Sequence, residues 1–293
     1  MFKKIMNLSE AITYNQAQEI CERNGAVAYP KVRLADILPI ENSGISDELF
    51  KFALASHFDV IVTNREGYPL FAVEFDGVQH VQSPKQIERD KKKDALCERF
   101  DMPLLRINTE YLNDYYRQMN LLSWCIETWF ALQWFSEAQE NGQIPYNEPF
   151  MPPMSFNHIP GYNKNFPLWL SKDALGRIAK LYEQNVIVDM SPSTIVWSDK
   201  SNNEYHSLAW VLIDENRAVL TTANIKGQNF PISMVDVVED IALIQLNNKL
   251  VQTLDNEVSA VSPEAIDQAI SDMEAKKYVL SHLSISSRPK TKR

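Results

Sequence analysis

The sequence predicts an α/β protein with two domains. Apolar periodicity and turn signals order the elements of residues 1–141 as αβββαβ, with one extra helix and a further helix at the end. Residues 142–167 are rich in proline and asparagine, which predicts a linker. Residues 168–293 predict a smaller, β-rich C-terminal domain. With 293 residues and 45% hydrophobic content, the chain can bury a core in each domain.

The first elements follow from their end signals. A helix is predicted over residues 9–24, because Gly25 is typical of the position after a helix. A strand over residues 27–38 and a second helix over residues 46–56 come next.

The next two strands form a predicted β-hairpin. Residues 59–64 and 70–76 are rich in Val, Ile and Phe and flank a polar turn that contains glycine. If residues 66–67 form a two-residue tip, counting outward places Asp59 opposite Glu74.

Three carboxylates therefore gather on one face of this hairpin. Opposed side chains lie ~5 Å apart, where like charges are destabilising. Asp76 points to the same face, two residues beyond Glu74. Such a cluster is stabilised by a hard cation such as Mg²⁺ or Mn²⁺, or by a shared proton. The alternative is a solvated strand face that keeps its charges apart.

A capped helix is predicted after the hairpin. Ser83 supplies an N-cap, Pro84 the first helical position and Gln86 the third-position partner of a capping box. Five residues share one stripe of this helix toward the sheet: Gln86, Asp90, Lys93, Cys97 and Phe100. A strand over Leu104–Asn108 follows.

This order of residues resembles the PD-(D/E)XK nuclease superfamily, and within it the Vsr-like branch with the signature E-x-D-G-x-x-H. The resemblance covers about residues 5–110 and implies a restriction-endonuclease-like core. It is carried by Asp59, Glu74, Asp76, Gly77, His80, Arg89, Asp90 and the strand over residues 104–107.

The resemblance also implies roles for these residues. Asp59 and Glu74 would hold Mg²⁺ or Mn²⁺, and Asp76 would position the attacking water or a second ion. An acidic residue of the first helix often joins such a site, and either Glu10 or Glu19 fits that place.

Asp76 stands where the superfamily name motif has lysine, so the cation that faces the phosphate must come from elsewhere. Lys93 is the first candidate, although residues 91–93 are also explained as a solvated charge run. His80 is the second candidate, as a metal ligand or a proton carrier, with a packed structural histidine as the alternative.

Two further features allow a structural and a functional interpretation. Arg106 lies inside a strand and needs a partner, either a carboxylate such as Asp90 or a phosphate. Three tryptophans mark the helix predicted over residues 110–140 as core, with base stacking as the alternative: Trp124, Trp129 and Trp134.

The C-terminal domain is predicted to begin with a helix over residues 172–184. Strands are then predicted over residues 187–190, 194–197, 208–213, 218–222 and 241–246. A helix is predicted over residues 263–282, and residues 287–293 form a basic, disordered end.

Residues 205–247 weakly resemble the first half of a trypsin-like protease. Asn224 stands at the histidine position, Asp240 matches the aspartate, and no serine motif follows, so the resemblance implies an inactive remnant used for binding. An unrelated small β domain is the alternative.

Composition limits the possible partners. A net charge of −9 means that contact with DNA must use local patches. Cys21, Cys97 and Cys125 show no metal-ligand spacing, which predicts reduced, buried thiols. No signal peptide and no membrane span is predicted, so we expect a soluble, cytoplasmic protein with no membrane partner.

The predicted function is a Mg²⁺-dependent DNA endonuclease, a hydrolase of phosphodiester bonds. Its catalytic residues would be Asp59, Glu74, Asp76, His80 and Lys93, and its C-terminal domain would sense or recruit a protein partner or trigger. The alternative is a non-catalytic module that binds nucleic acid or protein. From the sequence, Glu74→Ala is expected to abolish cleavage and to leave folding intact or improved.

Overall fold

The computed structural model describes residue 6 and residues 8–76, 84–108, 120–150 and 169–287. These residues form two compact units, each with helices and a four-stranded sheet, so the α/β fold class is confirmed. Among the described residues, 169–227 and 233–287 form the second unit. The first unit contains the earlier part of the chain together with Gln228–Ile232.

The described part of the first unit has five helices and four strands. In chain order they are α1 (Leu8–Arg23), β1 (Val27–Arg33), α2 (Leu34–Ile37), α3 (Asp47–Ala55), β2 (His57–Thr63), β3 (Pro69–Asp76), α4 (Pro84–Arg99), β4 (Leu104–Asn108) and α5 (Leu121–Glu140).

The predicted strand over residues 27–38 is too long. The strand ends at Arg33, and the helix α2 follows directly. The Leu38 N–H donates to the Leu34 carbonyl at 2.8 Å across this helix. The predicted helix over residues 46–56 is confirmed as α3, which Ser46 caps by accepting from the Leu49 N–H at 3.3 Å.

The first sheet has the strand order β1-β2-β3-β4. β1 and β2 pair antiparallel, as do β2 and β3, whereas β3 and β4 run parallel. The pairs of the β2–β3 hairpin include Val60 with Val73, and this register places Asp59 opposite Glu74, as predicted.

The predicted tip of the hairpin is wrong. Asn64 closes a longer turn: its carbonyl accepts from the Gly67 N–H at 3.1 Å, and its side chain accepts from the Tyr68 N–H at 2.8 Å. Gly67 takes a φ of 87°, and a bulge at Thr63 absorbs the extra residue.

Helices cover the sheet on both faces. On one face, Ile61 and Ala72 pack against Leu96 and Cys97 of α4. On the other, the Phe71 ring lies 4.8 Å from that of Trp129 in α5, centroid to centroid. The predicted stripe of α4 is confirmed by burial, since Lys93 and Cys97 are buried within it.

The outer edge of β4 is covered by Gln228–Ile232. The Leu104 N–H donates to the Asn229 carbonyl at 2.7 Å, and the Arg106 N–H donates to the Gln228 side chain at 2.8 Å. Phe230 is buried and packs its ring edge-on against Phe71 at 5.5 Å. This segment therefore satisfies two backbone donors that an open edge strand would expose.

The described part of the second unit has four strands and three helices. They are α6 (Lys172–Glu183), β5 (Ser193–Asp199), β6 (Glu204–Leu212), β7 (Ala218–Lys226), α7 (Met234–Leu254), α8 (Glu264–Ala275) and β8 (Val279–Ser284). The strands form an antiparallel sheet in the order β7-β6-β5-β8, against which α7 packs.

Three predictions for this unit are wrong. Residues 241–246 lie in α7, which is buried over most of its surface and so shows no amphipathic period that would separate it from a strand. Residues 187–190 form no strand, and the helix predicted over residues 263–282 ends at Ala275, before β8. The basic end over residues 288–293 lies outside the described residues.

None of the described helices is both long enough and apolar enough to cross a membrane. The three cysteines are buried and form no disulfide, as predicted. Burial raises the pKa of the Cys21 and Cys97 thiols to about 12, so both are protonated near neutral pH.

Candidate functional site

At the end of the β2–β3 ladder, the side chains of Asp59 and Glu74 each accept a hydrogen bond from the backbone of the other strand. The Asp59 carboxylate accepts from the Phe75 N–H at 3.0 Å, and the Glu74 carboxylate accepts from the Asp59 N–H at 3.3 Å. Each carboxylate thus contacts the backbone of the neighbouring strand. These backbone hydrogen bonds fix the two acidic groups next to one another on paired strands.

Lys93 of α4 neutralises Glu74. Its ammonium lies 2.6 Å from Glu74 Oε1 and also donates to the His57 carbonyl at 3.0 Å. The ammonium lies 5.6 Å from the centroid of the Phe58 ring, which adds a cation–π contact. The helix stripe that predicted Lys93 near the carboxylates therefore brings it into direct contact with one of them.

Burial is the largest influence on the pKa of the Glu74 carboxyl. Only 9% of this residue is exposed, and desolvation raises the pKa of its carboxyl, as does the charge of Asp59. Lys93 and Arg106 lower the pKa but do not offset burial fully.

Lys31 is a site residue that the sequence did not predict. Its ammonium donates to Asp59 at 2.5 Å and to Glu10 of α1 at 3.0 Å. The pairs Pro30–Val60 and Val32–Phe58 flank it, so Lys31 stands opposite Asp59 in the β1–β2 ladder. The only sequence signal was a charge in the middle of a strand. The partner of Lys31 could not be predicted, since it depends on the β1–β2 register, which patterns in a single sequence do not fix.

Of the two acidic candidates on the first helix, Glu10 joins this cluster through Lys31. Glu19 does not: its side chain is 76% exposed and pairs with Arg23 on the same helix. The structure therefore separates two residues that the sequence left equivalent.

Arg106 carries a second group of contacts beside the site. It is paired with Glu74 across the parallel β3–β4 ladder, and its guanidinium lies 2.6 Å from Asp94 and 3.6 Å from Asp90. Asp90 also accepts from the Gln86 amide at 2.9 Å. The predicted carboxylate partner of Arg106 is present, and Asp94 is the nearer one.

Two of the predicted site residues are incompletely described. The backbone of Asp76 ends β3 and pairs with that of Asn108, while its side chain lies outside the described residues. Gly77, His80 and Ser83 lie outside them too, so the predicted N-cap of α4 is not described.

Trp124 and Trp129 are buried, as their core interpretation predicts.

The donor chemistry fits a hard divalent cation. Glu10, Asp59 and Glu74 offer carboxylate oxygens, the ligands that Mg²⁺ and Mn²⁺ prefer. In the structure each of them contacts an ammonium group instead, from Lys31 or Lys93. Within the described ranges, no group of three His, Cys, Asp or Glu residues is arranged to hold a metal ion.

The residues that resemble protease positions form no such site. Asp240 is buried in α7, where it accepts from the Ser171 hydroxyl and from the Leu170 N–H at 3.0 Å. Asn224 lies exposed on β7. Residues 241–246, next to Asp240, thus lie in α7 and not in the strand predicted there.

Comparison with known proteins finds a family of unknown function. Residues 2–122 match the model of a family described as "Protein of unknown function (DUF2726)". No curated protein and no solved structure matches the chain. The matched range, residues 2–122, contains all five residues of the described cluster: Glu10, Lys31, Asp59, Glu74 and Lys93.

Proposed function

We propose that this protein is a metal-dependent DNA endonuclease with a C-terminal regulatory or partner-binding domain. The observation that carries the proposal is the pair of carboxylates, Asp59 and Glu74, fixed on neighbouring strands with Lys93 in contact with Glu74. Apart from the extra helices α2 and α3, the elements α1, β1, β2, β3, α4 and β4 follow the αβββαβ order that the nuclease resemblance implies.

In the proposed reaction, the acidic residues bind the metal ion and the basic residues face the phosphate. Asp59 and Glu74 would hold Mg²⁺ or Mn²⁺, and Asp76 would position the attacking water or a second ion. Lys93, with His80 as the second candidate, offsets the charge that builds on the phosphate. A bound divalent cation would polarise the scissile phosphate and lower the pKa of bound water.

Acidic composition is compatible with DNA if contact is local. The site itself brings Lys31, Lys93 and Arg106 close to the carboxylates, so positive charge is available locally although the chain is acidic overall. Three free, buried thiols suit a reducing compartment, and we propose the cytoplasm.

The test is cleavage of plasmid and single-stranded DNA by the purified full chain with Mg²⁺ or Mn²⁺, beside Asp59→Asn and Glu74→Gln. Both substitutions keep the volume of the side chain and remove its charge. Glu66→Gln, on the exposed hairpin turn, is the matched control. Metal-dependent cleavage that persists in both site variants would overturn the proposal.

The second candidate function is a non-catalytic module that binds nucleic acid or protein. It is favoured by one observation: Asp59 and Glu74 are each already in contact with a lysine ammonium. Under this alternative, the protein binds DNA or a partner without cleaving, and removal of divalent cations leaves that binding unchanged.

A further inference from the structure

The backbone of Lys31 adopts an unusual conformation for a strand residue. Its φ is 55°, in the left-handed region that β-branched and long side chains rarely occupy, while its neighbours continue the β1–β2 ladder. Such strain persists only where surrounding contacts hold it, and it concentrates at functional sites.

Contacts of the Lys31 ammonium hold the residue in this backbone conformation. The two described acceptors, Glu10 and Asp59, come from different elements, α1 and β2. Burial lowers the pKa of Lys31, but its hydrogen bonds and the two negative charges outweigh that effect, so the pKa is raised. Without a positive charge between them, the two carboxylates would repel each other across the site.

Lys31 and Lys93 differ in how firmly they are held. Lys93 has 11% of its side chain exposed and is anchored by Glu74, a backbone carbonyl and an aromatic ring. Lys31 is 28% exposed, and among the described residues its ammonium bonds only to carboxylates. Lys31 can therefore move to solvent once another cation takes its place, whereas Lys93 cannot leave without breaking neutral contacts as well.

We propose that Lys31 is an internal competitor for the divalent cation: its ammonium occupies the position between Glu10 and Asp59, and the metal binds there by displacing it. This inference rests on the proposed function, because it takes the metal from that proposal. It assigns Lys31 as the residue that sets metal affinity, and it uses Glu10 as the first-helix acid that the nuclease resemblance implies.

The test measures Mn²⁺ binding to the full chain by titration calorimetry and by the paramagnetic resonance of free Mn²⁺, without DNA. Lys31→Met removes the charge and keeps the length of the side chain. Lys31→Gly removes the charge and also suits the φ of 55°, so it remains informative if the Met variant folds poorly. Arg33→Met is the matched control, because Arg33 lies on the same strand and pairs with Asp36 at the surface.

Both Lys31 variants are expected to bind Mn²⁺ at least tenfold more tightly than the wild type, while Arg33→Met is unchanged. Adding Glu10→Gln to Lys31→Met should cancel the gain. Binding that is unchanged or weaker in both Lys31 variants overturns the inference but leaves the nuclease proposal standing if wild-type binding needs Asp59. No Mn²⁺ binding by the wild type or any variant overturns both.

Discussion

Lys93 and Glu74 form a buried ion pair between α4 and β3, with 2.6 Å between the ammonium and Glu74 Oε1 and 9% exposure at each residue. The pair fixes the helix to the sheet at the level of the carboxylate cluster. It also changes what a substitution at Glu74 does, since a lysine is left behind.

Glu74→Ala is expected to destabilise the first unit. Removing one partner of a buried pair leaves an uncompensated charge, at a cost of about 3–5 kcal/mol in the free energy of unfolding. This replaces the expectation from sequence alone, in which loss of repulsion with Asp59 left folding intact or improved. Guanidinium unfolding of the full chain, with Glu66→Ala as the exposed control, measures the effect.

The double variant Glu74→Gln/Lys93→Met tests the reason for that loss. Because it removes both charges together, we expect it to be more stable than Glu74→Ala. If Glu74→Ala is as stable as the wild type, the pair contributes nothing, and repulsion within the carboxylate cluster dominates instead.

Lys93→Gln is expected to lower the rate of DNA cleavage by about 10²–10³, the range seen when one preorganised donor to developing charge is removed. Lys92→Gln is the matched control, because Lys92 is the adjacent lysine on α4 and pairs with Glu48 and Glu88 at the surface. Initial rates at saturating Mg²⁺ distinguish them. Equal losses in both variants would mean that general positive charge matters, and that Lys93 has no role at the reacting phosphate.

Asp240 predicts a pH-dependent stability of the second unit. Burial raises the pKa of its carboxyl to about 7 from 3.8, although hydrogen bonds from Ser171 and Leu170 lower it. The folded state therefore binds this proton more tightly than the unfolded state does. The stabilisation is present below the unfolded pKa and is lost as pH rises through the folded pKa.

Asp240→Asn should flatten the decline in the free energy of unfolding between about pH 4 and 7. Asp236→Asn, at the exposed start of the same helix, should keep the wild-type slope. Urea unfolding at pH 4, 5, 6 and 7 measures all three proteins. A parallel pH dependence in the wild type and Asp240→Asn would exclude Asp240 as its source.

Hydrogen exchange at β4 should report on the segment Gln228–Ile232. Gln228→Ala removes the acceptor of the Arg106 N–H, and the loss of ~1 kcal/mol or more corresponds to about fivefold faster exchange of that amide. Leu104, whose acceptor is a backbone carbonyl, should stay protected. Phe230→Ala removes the buried ring that holds the segment, so both amides should exchange faster.

The hairpin shows how far local patterns reach. Counting outward from a tip at residues 66–67 placed Asp59 opposite Glu74, and this pairing is present because the bulge at Thr63 compensates for the longer turn. The tip was wrong, since the side chain of Asn64 replaces a backbone partner and lengthens the turn. Lys93 was found because helical spacing alone determines which residues of α4 face the sheet.

The missed features depend on contacts between distant parts of the chain. The partner of Lys31 is set by a pairing across 28 residues, and its left-handed φ has no sequence signature in a non-glycine residue. α7 was partly predicted as a strand because residues 241–244 are all buried, and such a run shows no period of 3.6 residues. No local pattern indicates that Gln228 belongs to the first unit.

The covering of β4 by Gln228–Ile232 has a consequence for synthesis on the ribosome. The cover over β4 can form only after residue 232 has been translated, when β5, β6 and β7 have already been made. A truncated product that stops before residue 228 would contain Asp59, Glu74 and Lys93 yet lack the outer partner of β4. Such a product would expose the outer edge of β4, and an open edge strand can pair with another chain.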